Sequence, residues 1–411
     1  MTGHRTQNTD KKSPGSGFRA LSSISRPVII ALWLALLFLP FKGIKAASIL
    51  FAVLSTFIFL LRFLLDYIKP LKEKLHDARA RLTKRLRITS DQTEGALLIS
   101  RYLLLLFIIS VPFFARDYFI DIAILAGIYI ILAQGLNVVV GFAGLLNLGF
   151  VAFYAIGAYA YALLNTKLGL GFWTSLPLSV GLVTLSGFIL AVPALRLRGD
   201  YLAIVTLGFG EIVRLVLNNW DSVTKGPNGI GGIEPPYLFG ISLNGLSHYY
   251  YFILVFVALS VFIVRRVYVS RIGRAWVAIR EDEIASSSIG INTTAYKLYA
   301  FAFGAFWAGV AGVLFAAKMR FVSPESFTFM ESVLILCMVI LGGLGSIPGV
   351  ILGAIILVML PEMLREIQLY RMLALGSGLV LLMIFRPQGL FRSSPLTRAV
   401  LRGGKGVSFR S

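Results

Sequence analysis

No acidic or basic side chain occurs between Asp121 and Lys167, a stretch long enough for a helix to cross a hydrocarbon core twice. A bilayer core about 30 Å thick takes about 20 apolar residues per helix. In lipid every backbone N–H and C=O must be bonded within the structure, so helices are the natural solution for such runs. Further charge-free runs cover 27–41, 46–61, 102–115, 168–195, 249–264, 298–317, 332–361 and 372–385. The run 201–218 is weaker because it holds Glu211 and Arg214. We expect 121–167 to break at the glycine cluster 141–149. We expect 332–361 to divide near 345–349, where Pro348 interrupts the pattern. The count is then about ten spans after residue 100, plus an N-terminal helical hairpin of two.

Of 411 residues, 57% are hydrophobic and 14% charged, against about 45–50% and about 25% in a soluble domain. The fold class this predicts is an all-α, polytopic integral membrane protein. A formal charge of +20 brings nucleic acid to mind, but the position of the cations excludes it as a partner. They lie in short segments between apolar runs: Lys69 to Arg101, Arg265 to Lys297, and the tail from Arg386. The loop 219–248 holds only Lys225, beside Asp221 and Glu234. Six crossings separate the first basic segment from the second, and four separate the second from the tail. Even numbers place all three in the cytoplasm, together with both termini.

The residues 1–26 read as a basic cytoplasmic tail, and 27–101 as the hairpin with its basic loop. The core domain covers 102–390, and 391–411 forms a second basic tail. No small-x-small cleavage signal follows residue 41, since Lys42, Gly43, Ile44 and Lys45 come next, so the hairpin is expected to be retained. A single cysteine, Cys337, and three histidines without ligand spacing exclude a disulfide and predict no metal site. No P-loop is present, since Gly403-Gly404-Lys405-Gly406 lacks its spacing and its Ser or Thr, so the chain is expected not to hydrolyse a nucleotide by itself, and no catalytic residues or cofactor are expected.

Three features carry the functional reading. Charges inside the bilayer are expensive, so Arg62, Asp121, Glu211, Arg214 and Glu331 call for an explanation. Arg62, Asp121 and Glu331 read as residues near span ends. Glu211 and Arg214, three apart on one helix face, are candidate pathway residues. Next, two apolar segments are interrupted by small and amide residues. One holds Asn137, Gly141, Gly144, Asn147 and Gly149; the other holds Gly342 and Gly345. Close helix packing accounts for such residues, and so does a translocation pathway lined by irregular backbone. The third is the cytoplasmic stretch 273–292. It has no breaker before Gly290, and Val277, Ile284 and Ile291 recur every seven residues, which predicts one short helix with a narrow apolar seam. Arg280, Glu281, Asp282 and Glu283 flank that seam, so the helix belongs in the cytosol. It can pack on its own protein or dock in a partner's groove.

The run from Glu283 through Ala285 to Gly290 resembles the loop by which ABC importer permeases dock their ATPase. Across nearly the whole chain the sequence resembles the M-type permeases (LivM family) of bacterial branched-chain amino-acid ABC transporters. The stretches 135–157, 195–214, 226–229, 280–290, 321–327 and 386–389 carry the likeness in the family's order. One departure is that the docking motif reads Glu-Ile-Ala instead of Glu-Ala-Ala, a variation that branched-chain members share. The resemblance implies an ABC importer permease bundle with a coupling loop at 270–296, in the bacterial inner membrane. It also implies an H-type permease as heterodimer partner, two ATP-binding subunits that supply the ATP site, and a periplasmic amino-acid-binding protein. Leucine, isoleucine and valine would be the cargo. Arg280, Glu281, Asp282, Glu283, Ala285 and Gly290 would form the coupling element. Two rival readings stay open at this point: an ABC permease for urea or a sugar, and an ion-coupled secondary transporter using Glu211 and Arg214.

Overall fold

The computed structural model describes residues 110–113, 116–194, 199–238 and 245–363, with 197, 241–242, 376, 389 and 390 as isolated positions. All of them fall in one unit, 105–411. The hairpin 27–68, the basic loop up to residue 101, the span 372–385, both tails and all but 110–113 of the span 102–115 lie outside the described residues.

Helix α1 (Asp117–Leu136) runs on into a π-helical segment, Asn137–Phe142, so that 26 residues form one apolar rod. The expected break therefore begins after Phe142, and residues 143–149 are irregular. Helices α2 (Phe150–Leu168), α3 (Phe172–Ala194) and α4 (Asp200–Asn219) follow. A one-turn α5 (Asp221–Thr224) leads to α6 (Leu246–Val269). Two short helices, α7 (Arg271–Glu281) and α8 (Glu283–Ser288), precede α9 (Thr293–Met319). Helices α10 (Phe329–Gly342) and α11 (Ile347–Met363) complete the described set. The segment 332–361 divides as expected, but at 343–346. Pro348 is the second residue of α11, where its missing N–H costs nothing.

Among the described residues, four helices are long and apolar enough to cross a membrane by length and composition: Asp117–Phe142, Phe172–Pro193, Leu246–Val269 and Thr293–Met319. Phe329–Gly342 and Ile347–Glu362 are shorter apolar helices, packed as an antiparallel pair against α1. Residues 200–219, the weakest span in the sequence, form one unbroken helix of 20 residues, about 30 Å at 1.5 Å per residue.

Helices α1 and α9 form the centre, each 83% buried, whereas α3 and α6 are 39% and 22% buried and present apolar side chains outward. The sequence of α9 explains its position. Ala305, Ala308, Gly309 and Gly312 lie one turn apart, and this lets the backbones of α2 and α3 approach closely. A Cβ on Gly157 would meet the Gly309 backbone, and one on Gly312 would meet the Tyr154 carbonyl. Packing of this kind supplies the van der Waals attraction that holds helices together where lipid is as apolar as leucine.

Four two-residue strands add detail that helical periodicity does not foretell. Strand β1 (Ile230–Gly231) pairs antiparallel with β4 (Phe321–Val322), in register Ile230 with Val322. This joins the loop after α4 to the segment after α9. Strands β2 (Tyr237–Leu238) and β3 (Ile241–Ser242) form a separate ladder.

Candidate functional site

The stretch 273–292 is two helices, not the single one expected. Asp282 is extended (φ −155°, ψ 112°), and its Oδ1 accepts from the Ile284 and Ala285 N–H groups at 2.9 and 3.0 Å. An aspartate N-cap of this kind starts a new helix and ends the old one. The seven-residue repeat therefore crosses a break. Val277 and Ile291 are half-buried, while Ile284 is 68% exposed. The buried face of α7 is instead Gly273, Ala275, Trp276 and Ile279, with Trp276 Nε1 donating to the Tyr296 carbonyl at 2.7 Å. Helix α8 ends at Gly290, in the left-handed region at φ 86° with nothing near a would-be Cβ. Ala285, Glu281, Asp282 and Gly290 are all exposed. Ile284 and Ile289 (76% exposed) leave an apolar surface on α8 that the described residues do not cover.

Glu283 points the other way. Its carboxylate pairs with Lys297 Nζ at 2.6 Å, and the Lys297 side chain is only 6% exposed. The pair ties α8 to the first turns of α9. Sequence reasoning assigned Lys297 to a basic cytoplasmic segment and missed its burial, which no spacing signals.

Arg280 brings the coupling element and both interrupted segments together. Its Nη1 donates to the Gly141 carbonyl inside the π-helical segment. Its aliphatic stem lies where a Cβ on Gly144 would be, and Nη1 is also beside Gly345. Asn137 Oδ1 accepts from the Gly345 N–H at 2.9 Å, and a Cβ on Gly141 would collide with both groups. Asn137, Gly141, Gly144, Gly345 and Arg280 thus form one cluster, although 208 residues separate Asn137 from Gly345. Gln134 Nε2 adds a bond to the Ile347 carbonyl at 2.9 Å. The amide nitrogen of buried Asn137 has no protein partner, and the same is true of Asn147. From the distal end, a Cβ on Gly389 would meet Gly343, and the Leu390 N–H donates to the Leu341 carbonyl at 2.8 Å.

Gly149, Asn147 and Gly342 each make close contacts or bonds to neighbouring backbone. Asn147 Oδ1 accepts from the Gly149 N–H at 3.0 Å and orders the start of α2. A Cβ on Gly149 would enter the Thr206 carbonyl of α4, and one on Gly342 would enter the Gly349 backbone. Backbone cannot yield as a flexible side chain can. We therefore expect Gly149→Ala to force α2 and α4 apart at a cost of about 1–3 kcal/mol. A drop in the detergent-solubilised melting temperature checks this; an unchanged Tm contradicts it.

Glu211 and Arg214 bond each other on α4, Nε and Nη2 reaching one carboxylate oxygen at 3.1 and 2.9 Å, with side chains about one-third exposed. They bond each other and no residue of the Arg280 cluster. Asp121 pairs with Lys318 at 2.6 Å, and Glu331 accepts from Tyr129 at 2.7 Å. Among the described residues no group of three or more metal-ligating side chains occurs.

A family model described as the branched-chain amino acid transport system permease component matches residues 118–385. The chain belongs to this family. The high-affinity branched-chain amino acid permease LivM of Escherichia coli is 49% identical over 328 residues, covering 74% of this chain and 76% of that protein. LivM of Salmonella typhimurium is 50% identical over 326 residues, covering 73% and 76%. LivH of the same Salmonella strain, another permease of the branched-chain system, is 28% identical over 257 residues, covering 57% and 80%. No solved structure matches. Permease family membership accords with the helical, apolar architecture and with the two interrupted segments meeting at Arg280.

Proposed function

We propose that this chain is the M-type permease subunit of an ATP-driven importer of leucine, isoleucine and valine in the bacterial inner membrane. It forms half of the translocation pathway and hydrolyses nothing itself. An H-type permease is its partner, consistent with the likeness to LivH. Two ATP-binding subunits supply the energy, and a periplasmic binding protein delivers cargo. Both termini are cytoplasmic on this reading.

The observation that carries the proposal is the contact between Arg280 and the two interrupted segments. A helix pair that presents Ile284 and Ile289 to a partner, and on its other side holds Gly141, Gly144 and Gly345, can pass a displacement to the pathway. Glu283 anchors α8 to α9, so a push on α8 moves α9 with it. In the alternating-access cycle this entails, closure of the ATPase dimer shifts α7 and α8, and Arg280 draws the π-helical segment along. Glu211 and Arg214 bond each other, so neither stands as a lone intramembrane charge of the kind an ion-coupled mechanism would use.

Two exposed isoleucines in a docking patch can contribute about 1.5–3 kcal/mol each. Ile284→Asp with Ile289→Asp is therefore expected to abolish co-purification of the ATPase subunits while the pair of permeases stays assembled. Retention of both ATPase subunits at wild-type stoichiometry would refute the proposed docking surface.

A further inference from the structure

Glu331 is the one acid that meets the apolar rod of α1 near its mid-length without a basic partner among the described residues. Its partner Tyr129 lies about 18 Å along α1 from Asp117 at 1.5 Å per residue, near the middle of the 26-residue rod. A carboxylate at that depth is costly if it faces lipid. Glu331 is nevertheless half-buried only, and the adjacent Met330 is 71% exposed. Glu331 is therefore not enclosed by the described residues alone, and lipid is an unfavourable neighbour for it.

Its surroundings fit a zwitterion. Glu331 stands in the first turn of α10, a helix of 14 residues whose N-cap, Thr328, makes no side-chain cap bond. The start of such a helix offers N–H groups and the positive end of the dipole to an anion. Across from it, Val151 of α2 donates to Ser332 Oγ at 3.1 Å. One turn further along α2 comes Tyr154, 2% exposed, whose hydroxyl has no hydrogen-bond partner. Its ring packs on Phe315 and Phe327 at 5.3 and 5.1 Å, beside the turn that leads into α10. An orphaned hydroxyl, a carboxylate and an uncapped helix start thus converge at mid-depth. A discontinuous backbone at that depth is where substrate head groups are held in membrane transporters.

We propose that Glu331 and Tyr154, with the first turn of α10, recognise the charged head group of an α-amino acid during translocation. Glu331 takes the ammonium; the α10 N–H groups and the Tyr154 hydroxyl take the carboxylate. Tyr129 positions Glu331. The inference rests on the amino-acid importer reading above and adds a cargo contact to it.

The test uses the complete transporter in proteoliposomes. Glu331→Gln keeps the shape and the Tyr129 bond but removes the charge. Loss of a charge-assisted contact is expected to lower leucine uptake about tenfold or more while assembly and ATP hydrolysis persist. In a Cys337→Ala background, Glu331→Cys gives a single thiol for a cationic methanethiosulfonate reagent. Leucine is expected to slow its modification at least about threefold, whereas the deaminated analogue 4-methylpentanoate, which lacks the ammonium, is not. Equal modification rates with and without leucine would overturn the proposal. Loss of the second permease from the Glu331→Gln complex would overturn it too, because the carboxylate would then be meeting a partner's cation. A wild-type complex that imports no leucine would instead defeat the importer reading itself.

Discussion

Glu283→Ala is expected to cost about 3–5 kcal/mol of stability, because it leaves the ammonium of Lys297 in place with its counter-charge gone and only 6% of its side chain exposed. Lys297→Met is expected to cost less, about 1–2 kcal/mol, since Glu283 keeps 26% exposure and water can reach it. The double variant removes both charges and is expected to recover most of the loss, as buried pairs exchanged for apolar groups often do. Thermal unfolding of the solubilised complex measures all three. The ordering separates two roles for Glu283. If its main work were to touch the ATPase, Glu283→Ala would keep its Tm and the double variant would be no better than the single one. The outcome also bears on charge reversal at this position: Glu283→Lys sets two cations together, so its loss of transport would report misfolding before it reported docking.

Arg280→Ala is expected to uncouple hydrolysis from transport. The complex assembles and hydrolyses ATP, but leucine uptake falls about ten- to hundredfold. The magnitude follows from a hydrogen bond to a charged donor, about 1.5–3 kcal/mol, lost from the contact that links α7 to the π-helical segment. The residue as a whole is exposed, so little folding stability goes with it. Arg280→Lys is expected to rescue poorly. An ammonium is a compact point donor and lacks the planar fork whose Nη1 reaches the Gly141 carbonyl beside Gly345. Uptake and hydrolysis measured on the same proteoliposomes decide it: parallel losses in both would point to a folding defect, and unchanged uptake would remove Arg280 from the coupling path.

Much of the architecture was legible because hydrophobic runs and basic segments are local signals. The spans at 121–167, 298–317 and 332–361 appear as helices at those places, with the interruptions near the glycine clusters. Where the reading of 273–292 went astray, the reason is also local. A seven-residue repeat cannot reveal that Asp282 turns its own carboxylate onto the next two N–H groups and starts a second helix. The site was legible in its members but not in its geometry. Asn137, Gly141, Gly144, Gly345 and Arg280 are each conspicuous in the sequence, yet nothing in their spacing places them together. Gly149 and Gly342 carry the same small-residue signal, and each lies against a neighbouring backbone. A glycine that admits a neighbouring backbone and one that admits a guanidinium look alike until the neighbour is known.

By itself the sequence determined that this chain lives in a bilayer as helices and has no P-loop of its own, since charge-free length and a missing motif need no partner residue to be read. Only the tertiary structure decided what the exceptional polar groups do. It folded Glu283 back onto Lys297, matched Glu211 with Arg214, and laid Arg280 across two distant breaks. Those outcomes depend on which helices become neighbours. That is settled by the small-residue packing of α1, α2 and α9 over the whole bundle, and no local window of residues contains it.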